Sequence, residues 1–493
     1  MRLFAPQRRS NRLSEGSNAS LVNPFCLDTR SLALFRILVA VVVIIDCAVR
    51  LSLVEVFLGS TGLPNPTDQT LFPDWLWSVH RLHGSSAYAA GLLMLQIGVA
   101  MLVLVGWRTQ QVFIALTLLT LSLHNANPYI LDGGDRSLMV MMTWACFLPL
   151  GQSWSLDAGR LPYATSSQIN SVYSLASITF TLQICLIYWV TVSHKSVDHW
   201  LIQRDAVWYA LNLDHFTTRF GAWAAKFQIF TALSSITTYA IQVLAPMALL
   251  LPIRIWQVRL GALAVLATMH LGFIPFLELG LFPWINLTGL VALIPGQLWS
   301  ELPYFSHSEK GADQGIPPQH PPFRYPLVER IRRPLLILLI TLALVTGISD
   351  RSRPGGLAPE LEPIKALGIH QHWKMFSPLP NPIDFWFELV DNPNTPAATR
   401  RVLPGLEAFA EDGNPRRKGH RLHTQRWRKY IDNLNAHRAQ ASLVQSYLQH
   451  LCRQLPAGSD HQLERIEEPT DPLGGSPGKL RRISVARFHC SAP

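Results

Sequence analysis

The sequence predicts a mainly α-helical, polytopic membrane bundle followed by a C-terminal extramembrane α+β region. Three observations support this prediction. Of the 493 residues, 49% are hydrophobic and only 15% are charged, which is too apolar for an ordinary soluble chain. The apolar residues cluster in long segments up to position 349. After Asp350, proline-rich turns and charged stretches are typical of a soluble region.

About nine apolar segments are expected to form membrane-spanning helices. Several are shorter than the roughly 20 residues that a helix needs to cross a bilayer, so the count depends on the short ones. The segments lie near residues 32–58, 86–106, 110–124, 137–151, 173–193, 230–251, 256–275, 279–298 and 333–349.

Arginines between the segments predict the orientation, because basic loops stay in the cytoplasm. Nine spans with a cytoplasmic N-terminus leave the tail outside and divide the chain into a cytoplasmic segment 1–24, a membrane domain 25–349 and an extracytoplasmic domain 350–493. The loop 124–135, Lys195 and His270 then share the external side. The arginines assigned to the inside are Arg2, Arg8, Arg9, Arg12, Arg30, Arg108, Arg160, Arg254, Arg259, Arg330, Arg332 and Arg333.

The tail is expected to contain a charged helical stretch near 421–453, a Gly/Pro linker at 471–478 and a strand-like end. Cys452 and Cys490 both lie in it. An oxidising compartment would let these two cysteines pair, and a reducing one would keep them as thiols.

The net charge of +10 does not indicate a nucleic-acid partner, because the positive-inside rule accounts for part of the excess. The histidine pairs His80/His83 and His194/His199 lack a supporting carboxylate motif, so no metal site is predicted.

Charged residues interrupt the first apolar segment at Arg36, Asp46 and Arg50. Asp46 and Arg50 are four residues apart with the acid first, so they lie on one helix face and can pair. Since charges at this depth are costly, we interpret them as a structural pair that faces the bundle, with a direct role in a site as the alternative.

The stretch YWVTVSHKSVDHW places Lys195 at the end of an apolar segment. One interpretation is an interfacial lysine whose ammonium reaches the headgroups. The other is a base held where water is scarce. His270, in ATMHLGFIPFLELGLF, is similarly either a satisfied core histidine or a site residue, and SLHNANPYILDGGD adds His124 and Asn127 on the same predicted side.

Together these stretches resemble the vitamin K-dependent gamma-glutamyl carboxylase family, including its bacterial members with the HTTM domain. The resemblance covers roughly residues 25–455. The residues that match the family's motifs are Lys195 and Trp200, five apart, His270, Gly280 and Phe282 in HLGFIPFLELGLF, Trp373 and Met375 in HWKMFSPLP, and Gln425, Trp427 and Cys452 in the tail.

The resemblance implies an integral enzyme of the bacterial inner membrane that couples oxidation of reduced vitamin K or a related quinol by oxygen to carboxylation of glutamyl residues with carbon dioxide. It implies that Lys195 is the base and that His270, His124 and Asn127 line the site. Tyr188 and Trp200 are assigned to quinol binding. A glutamate-containing peptide or protein would be the acceptor.

One position departs from the family, because Asn127 in NANPYI occupies the place of its histidine. An asparagine can donate a hydrogen bond to an oxyanion but cannot shuttle a proton near neutral pH. Two alternatives therefore remain: a family member that oxidises a lipid quinol or another lipid without carboxylation, and a transporter or membrane scaffold whose polar residues line a pathway or fix helix packing.

Overall fold

The computed structural model describes residues 23–65, 68–160, 170–252, 256–302, 326–352, 357–395, 398–401, 403, 424–436, 441–469 and 479–491. Over these residues the protein is mostly helical. The arginines of residues 1–22, Arg254, the side chain of Arg330 and the predicted linker at 471–478 lie outside the described part.

The first half of the chain forms helices whose ends follow from local capping. The Asp28 carboxylate accepts a hydrogen bond from the backbone N–H of Arg30 at the start of α1. Asp132 is the N-cap of α5, and Asp135 completes a capping box. The elements are β1 (Leu27–Asp28), α1 (Thr29–Leu51), α2 (Val54–Phe57), α3 (Ser86–Val105), α4 (Thr109–Ala126) and α5 (Gly133–Ala145).

The second half of the bundle begins with strand β2, which pairs antiparallel with β1. Ser174 and Ser177 form the capping box that starts α6. A single π-helical turn, Asp198–Ile202, follows α6. The elements are β2 (Ser171–Val172), α6 (Leu175–Ser193), α7 (Ala206–Leu211), α8 (Arg219–Ala224), α9 (Gln228–Leu250), α10 (Trp256–Phe276), α11 (Phe282–Val291), α12 (Gly296–Glu301) and α13 (Pro326–Ser352).

Six helices in the described part, α1, α3, α6, α9, α10 and α13, are long and apolar enough to cross a membrane, which indicates a membrane protein. The predicted count of nine spans is not confirmed. The segments near 137–151 and 279–298 form helices of only 13 and 10 residues. Both are largely buried among longer helices, so their apolar residues belong to the bundle core.

The two ends of the bundle differ in chemistry. At the end that we call the basic end, arginine side chains bind backbone carbonyls: Arg36 donates to Leu150 and Trp154, and Arg259 donates to Leu293. Arg36 therefore finds carbonyl partners rather than the predicted pairing with another charge. The opposite end, where α1, α4, α6 and α10 finish and α5 and α11 begin, carries the C-terminal region, and we call it the tail end.

The C-terminal region combines a four-stranded antiparallel sheet, of order β4-β3-β5-β6, with two helices. The predicted helical stretch and strand-like end are present, and β3 and β5 are additional. A disulfide joins Cys452 to Cys490, which is the pairing that an oxidising compartment allows. The elements are β3 (Ile383–Asp391), β4 (Thr399–Arg401), α14 (Thr424–Ala436), α15 (Ala441–Cys452), β5 (Ser459–Pro469) and β6 (Arg481–Cys490).

The core of the C-terminal region is shared with the loop that follows α1. Phe57 and Leu63 from this loop pack in one buried cluster with Trp427, Tyr430 and other tail residues. Phe57 and Trp427 meet edge to face, with ring centroids 5.1 Å apart. Burial of apolar area on both partners thus fixes the tail against the membrane domain.

Candidate functional site

Lys195 lies just beyond the end of α6, at the tail end. The backbone N–H of Ser196 donates to the Pro378 carbonyl at 2.9 Å, and the Trp200 indole N–H donates to the same oxygen at 3.2 Å. The turn that holds Lys195 is therefore tied to the loop between α13 and β3. Only 7% of Lys195 is exposed, so its amine is not the headgroup-reaching group of an interfacial lysine.

The Lys195 amine has an aromatic neighbour and no acidic one. Its Nζ lies 3.1 Å from the centroid of the Trp200 ring, and among the described residues no carboxylate lies within ion-pair distance. A desolvated cation gains about 2 kcal/mol over such a ring, less than the several kcal/mol lost when an ion leaves water. Burial therefore holds the pKa of Lys195 well below the usual lysine value, and a neutral amine is accessible.

Tyr188 and His270 form a buried hydrogen bond, with Tyr188 Oη 2.9 Å from His270 Nε2. Among the described residues, Nε2 is the acceptor available to the phenol O–H, so Nε2 accepts and the neutral ring carries its proton on Nδ1. Nδ1 has no hydrogen-bond partner in the described part of the chain. In this tautomer His270 can donate from Nδ1 to a ligand.

Lys195 and the Tyr188–His270 pair line one cavity of about 970 Å³. Its walls come from α6, α9 and α10, and its outer rim comes from the tail. Residues of three separate stretches of the sequence line it together: Tyr188, Lys195, Trp200, His270, Phe282, Trp373 and Met375. The cavity therefore brings the Tyr188 phenol and the Lys195 amine, which share one stretch, together with the distant imidazole of His270.

His124 and Asn127 do not line this cavity, contrary to the prediction that they share a site with Lys195. The Asn127 amide donates to the backbone carbonyls of Phe57 and Leu63 at 3.1 and 2.7 Å, and its oxygen accepts from the Tyr129 N–H. Asn127 therefore holds the loop after α1. From the predicted loop 124–135, Asp132 and Gly133 reach the cavity instead.

His124 lies beside a buried ion cluster. We call it the four-charge cluster, and its members are Asp46, Arg50, Asp135 and Arg426. Arg50 bonds Asp46 at 2.7 Å, as predicted, and Asp135 at 3.0 Å. Arg426, from tail helix α14, bonds both carboxylates. His124 Nε2 lies 3.7 Å from Asp135. The cluster joins the membrane domain to the tail.

The electrostatics of this cluster favour ion pairs. Burial alone would raise the pKa of Asp135, but Arg426 and Arg50 more than offset it and hold the pKa well below its usual range. Asp46, His124 and Asp135 are close enough together to hold a metal ion. Their carboxylate oxygens already accept guanidinium hydrogen bonds, so a cation would have to displace two arginines.

Sequence reasoning missed Arg426 and Arg136. Arg426 stands between Gln425 and Trp427, two residues that match the family's motifs. The buried acids Asp46 and Asp135 have one buried base, Arg50, in the membrane domain, so a second cation was needed to balance their charge. Arg136 follows the DGGD turn by one residue and lines the cavity; its place directly after a capping box was the available signal.

Gly280→Ala is expected to destabilise the protein by about 1–2 kcal/mol. Gly280 has a φ of +57°, and a Cβ there would lie 1.5 Å from Gln425 Oε1, so the substitution strains the backbone and displaces the end of the Gln425 side chain. Thermal unfolding in detergent measures the effect. Gly98→Ala is the control, because its Cβ would meet nothing within 4 Å. Equal stability of both variants would contradict this contact.

The fold and the cavity define a class, a helical membrane protein in which a buried amine and a buried imidazole line one largely apolar cavity. No protein-family model matches the chain, and no curated protein or solved structure is significantly similar to it.

Proposed function

We propose that the protein is an integral membrane enzyme that uses Lys195 as a base on a lipid-soluble quinol, which oxygen then oxidises. One observation supports this function above the others: a buried lysine without a carboxylate partner in the described part of the chain lines a cavity of about 970 Å³. An amine in that setting can be neutral and accept a proton. A transport pathway or a packing role does not require a neutral amine.

In the proposed reaction, neutral Lys195 takes the proton of a quinol hydroxyl, whose ordinary pKa is about 10 like that of a phenol. The quinol oxygen becomes an anion and Lys195 becomes an ammonium. His270 supplies the Nδ1–H that stabilises a quinol oxygen, and Tyr188 keeps the imidazole in that tautomer. The deprotonated ring is the electron donor to oxygen.

The resemblance to the vitamin K-dependent gamma-glutamyl carboxylase family extends the proposal to a second step. The oxygenated quinol would remove a gamma-proton from a protein glutamate, and the carbanion would take up carbon dioxide. Cationic side chains on the cavity lining, Arg136, Lys374 and Arg428, suit an anionic glutamyl substrate.

A second function, oxidation of a lipid quinol without carboxylation, is favoured by Asn127. This asparagine occupies the place of the family's histidine, and its amide is fully engaged with the carbonyls of Phe57 and Leu63. It has no free group to offer a substrate. Incorporation of labelled carbon dioxide into a glutamyl peptide, read by mass spectrometry, separates the two functions.

We place the tail end outside the cytoplasm of a bacterial inner membrane. The Cys452–Cys490 disulfide lies in the tail region, which suits an oxidising compartment. Arg36, Arg259 and Arg332 lie at the opposite, basic end, which suits the cytoplasmic side.

The pH dependence of quinol oxidation tests the proposed base. The rate should rise as Lys195 loses its proton and level off above its pKa. Because burial lowers that pKa well below 10.5, the rate should reach its plateau at a pH below the one at which an ordinary lysine loses its proton. Oxygen consumption by the purified protein with a reduced quinone, measured from pH 5 to 10, gives the profile. A midpoint near the ordinary lysine value would contradict the assignment.

A further inference from the structure

One segment of the C-terminal region borders the cavity without forming a helix or a strand. This segment, residues 371–378, lies between α13 and β3, and we call it the wall segment. Its members Trp373, Met375 and Phe376 line the cavity. Because the wall segment lacks the regular backbone hydrogen bonds of a helix or a sheet, other contacts must hold it in place.

Two amides and two indoles anchor the inner end of the wall segment. The amides of Gln183 and Gln371 pair with each other: each Nε2 donates to the other's Oε1, at 2.8 and 2.9 Å. The Trp144 indole donates to Gln183 Oε1 at 3.0 Å, and the Trp373 indole donates to Gln371 Oε1 at 2.8 Å. These four residues, which we call the amide ladder, join α5 and α6 to the wall segment.

The indoles permit one orientation of the two amides. An indole N–H only donates, so each glutamine must present its oxygen to its tryptophan. Each NH₂ group then faces the oxygen of the other glutamine. At most 8% of any member of the amide ladder is exposed. A partner removed from the ladder is therefore not replaced by bulk water, and the buried donor or acceptor left behind is destabilising.

The outer end of the wall segment has a separate anchor. The Pro378 carbonyl accepts hydrogen bonds from the Ser196 N–H and the Trp200 indole, at 2.9 and 3.2 Å. Gln183 lies within α6, whereas Ser196 follows the end of this helix. The wall segment is therefore attached at two depths, and its cavity-lining part lies between the two attachments.

We propose that Gln183 is a positioning residue, which sets the place of the Trp373 ring in the cavity wall through Gln371. Gln183 itself is not among the residues that line the cavity, so it acts on a ligand only through its neighbours. Loss of its amide frees the inner end of the wall segment, while the outer anchor keeps the Lys195 turn in place. The effect on the wall segment rests on the amide ladder alone, and the effect on quinol oxidation also rests on the proposed function.

Gln183→Met tests this role, because methionine has a similar length and no amide. Lys374 in the wall segment is 35% exposed at its side chain, so trypsin can report opening of the segment by cleavage after this residue. The cleavage rate of the detergent-solubilised, full-length protein, followed by mass spectrometry of the fragments, should rise at least about tenfold. Proteolysis follows the population of the open form, so this rise corresponds to about 1.4 kcal/mol.

Gln96→Met is the matched control. Gln96 is 1% exposed in the long apolar helix α3 and donates to Thr120 Oγ1 at 3.0 Å, and it belongs to neither the cavity lining nor the amide ladder. This variant also loses a buried hydrogen bond, but cleavage after Lys374 should stay within about twofold of wild type, because distant sites act independently. Gln371→Met should open the wall segment as Gln183→Met does, and it replaces that variant if the latter does not fold.

Two further measurements separate positioning from a general loss of stability. Gln183→Glu keeps the shape of the side chain, and a buried, protonated carboxyl can accept from Trp144 and donate to Gln371, so cleavage should stay at the wild-type rate. In the oxidation assay, Gln183→Met should raise the KM for the quinol at least about fivefold and change kcat by less than about twofold, because Lys195 keeps its own anchor.

Equal cleavage after Lys374 in wild type, Gln183→Met and Gln371→Met would overturn the positioning role, as would an equal rise in Gln96→Met. A Gln183→Glu protein that opens as readily as Gln183→Met would also count against it. If wild type oxidises no quinol, the proposed function fails, while the cleavage rates still decide the role of Gln183.

Discussion

Lys195→Met is expected to lower the rate of quinol oxidation by about 10²–10⁴-fold, the range that a general base contributes. Methionine has a similar length but cannot accept a proton. The protein should still fold, because an apolar side chain over Trp200 removes the cost of burying an amine. Oxygen consumption with a reduced quinone measures the rate, and thermal unfolding checks the fold.

Lys365→Met is the control for this prediction. Lys365 is a tail lysine that is 39% exposed at its side chain and pairs with Glu362 at 2.5 Å, outside the cavity. It should leave the rate unchanged. If Lys195→Met binds the quinone normally and oxidises it at the wild-type rate, Lys195 is not the base and the lysine only packs on Trp200.

Arg426→Met is expected to destabilise the protein by about 3–5 kcal/mol, the cost of removing one partner from a buried ion pair. Asp46 and Asp135 would then share Arg50 as their remaining buried arginine. The two carboxylates would repel each other in a medium that screens charge poorly. Since Arg426 belongs to α14, the tail should also separate from the membrane domain. Denaturant unfolding and limited proteolysis of the tail measure the two effects.

Two comparisons sharpen this test. Arg453→Met removes an arginine that follows α15 and donates to the Thr61 carbonyl at the surface, so its effect should stay within about 0.5 kcal/mol. Asp46→Asn combined with Arg426→Met removes one charge of each sign and should recover part of the stability. An Arg426→Met protein as stable as wild type, with a protected tail, would show that the four-charge cluster does not hold the two regions together.

The predicted site and the four-charge cluster are connected through adjacent residues of one loop. Asp132 and Gly133 line the cavity, and Asp135 lies in the cluster. Gln425, next to Arg426, packs against Gly280 at the start of α11. Docking of the tail therefore completes the rim of the cavity, so the loss of Arg426 should impair quinol binding as well as stability.

The sequence by itself determined a mostly helical fold with apolar helices, the change in character after Asp350, the Asp46–Arg50 pair and the position of Lys195 and His270 at one end of the bundle. These features depend on the hydropathy of single segments and on contacts within one or two helical turns. Both are local properties that can be derived from the sequence. The sequence left the pairing of Cys452 with Cys490 open, and the structure joins the two cysteines in a disulfide.

Only the tertiary structure decided which polar groups meet. It separated Asn127 and His124 from Lys195, joined Tyr188 to His270, and inserted Arg426 between two acids that precede it by 380 and 291 residues. It also showed that two predicted spans, near 137–151 and 279–298, are short helices buried in the bundle. The physical reason is that hydropathy places a side chain at a depth, whereas its partners depend on how helices pack around it, and that packing is set by contacts between residues far apart in the chain.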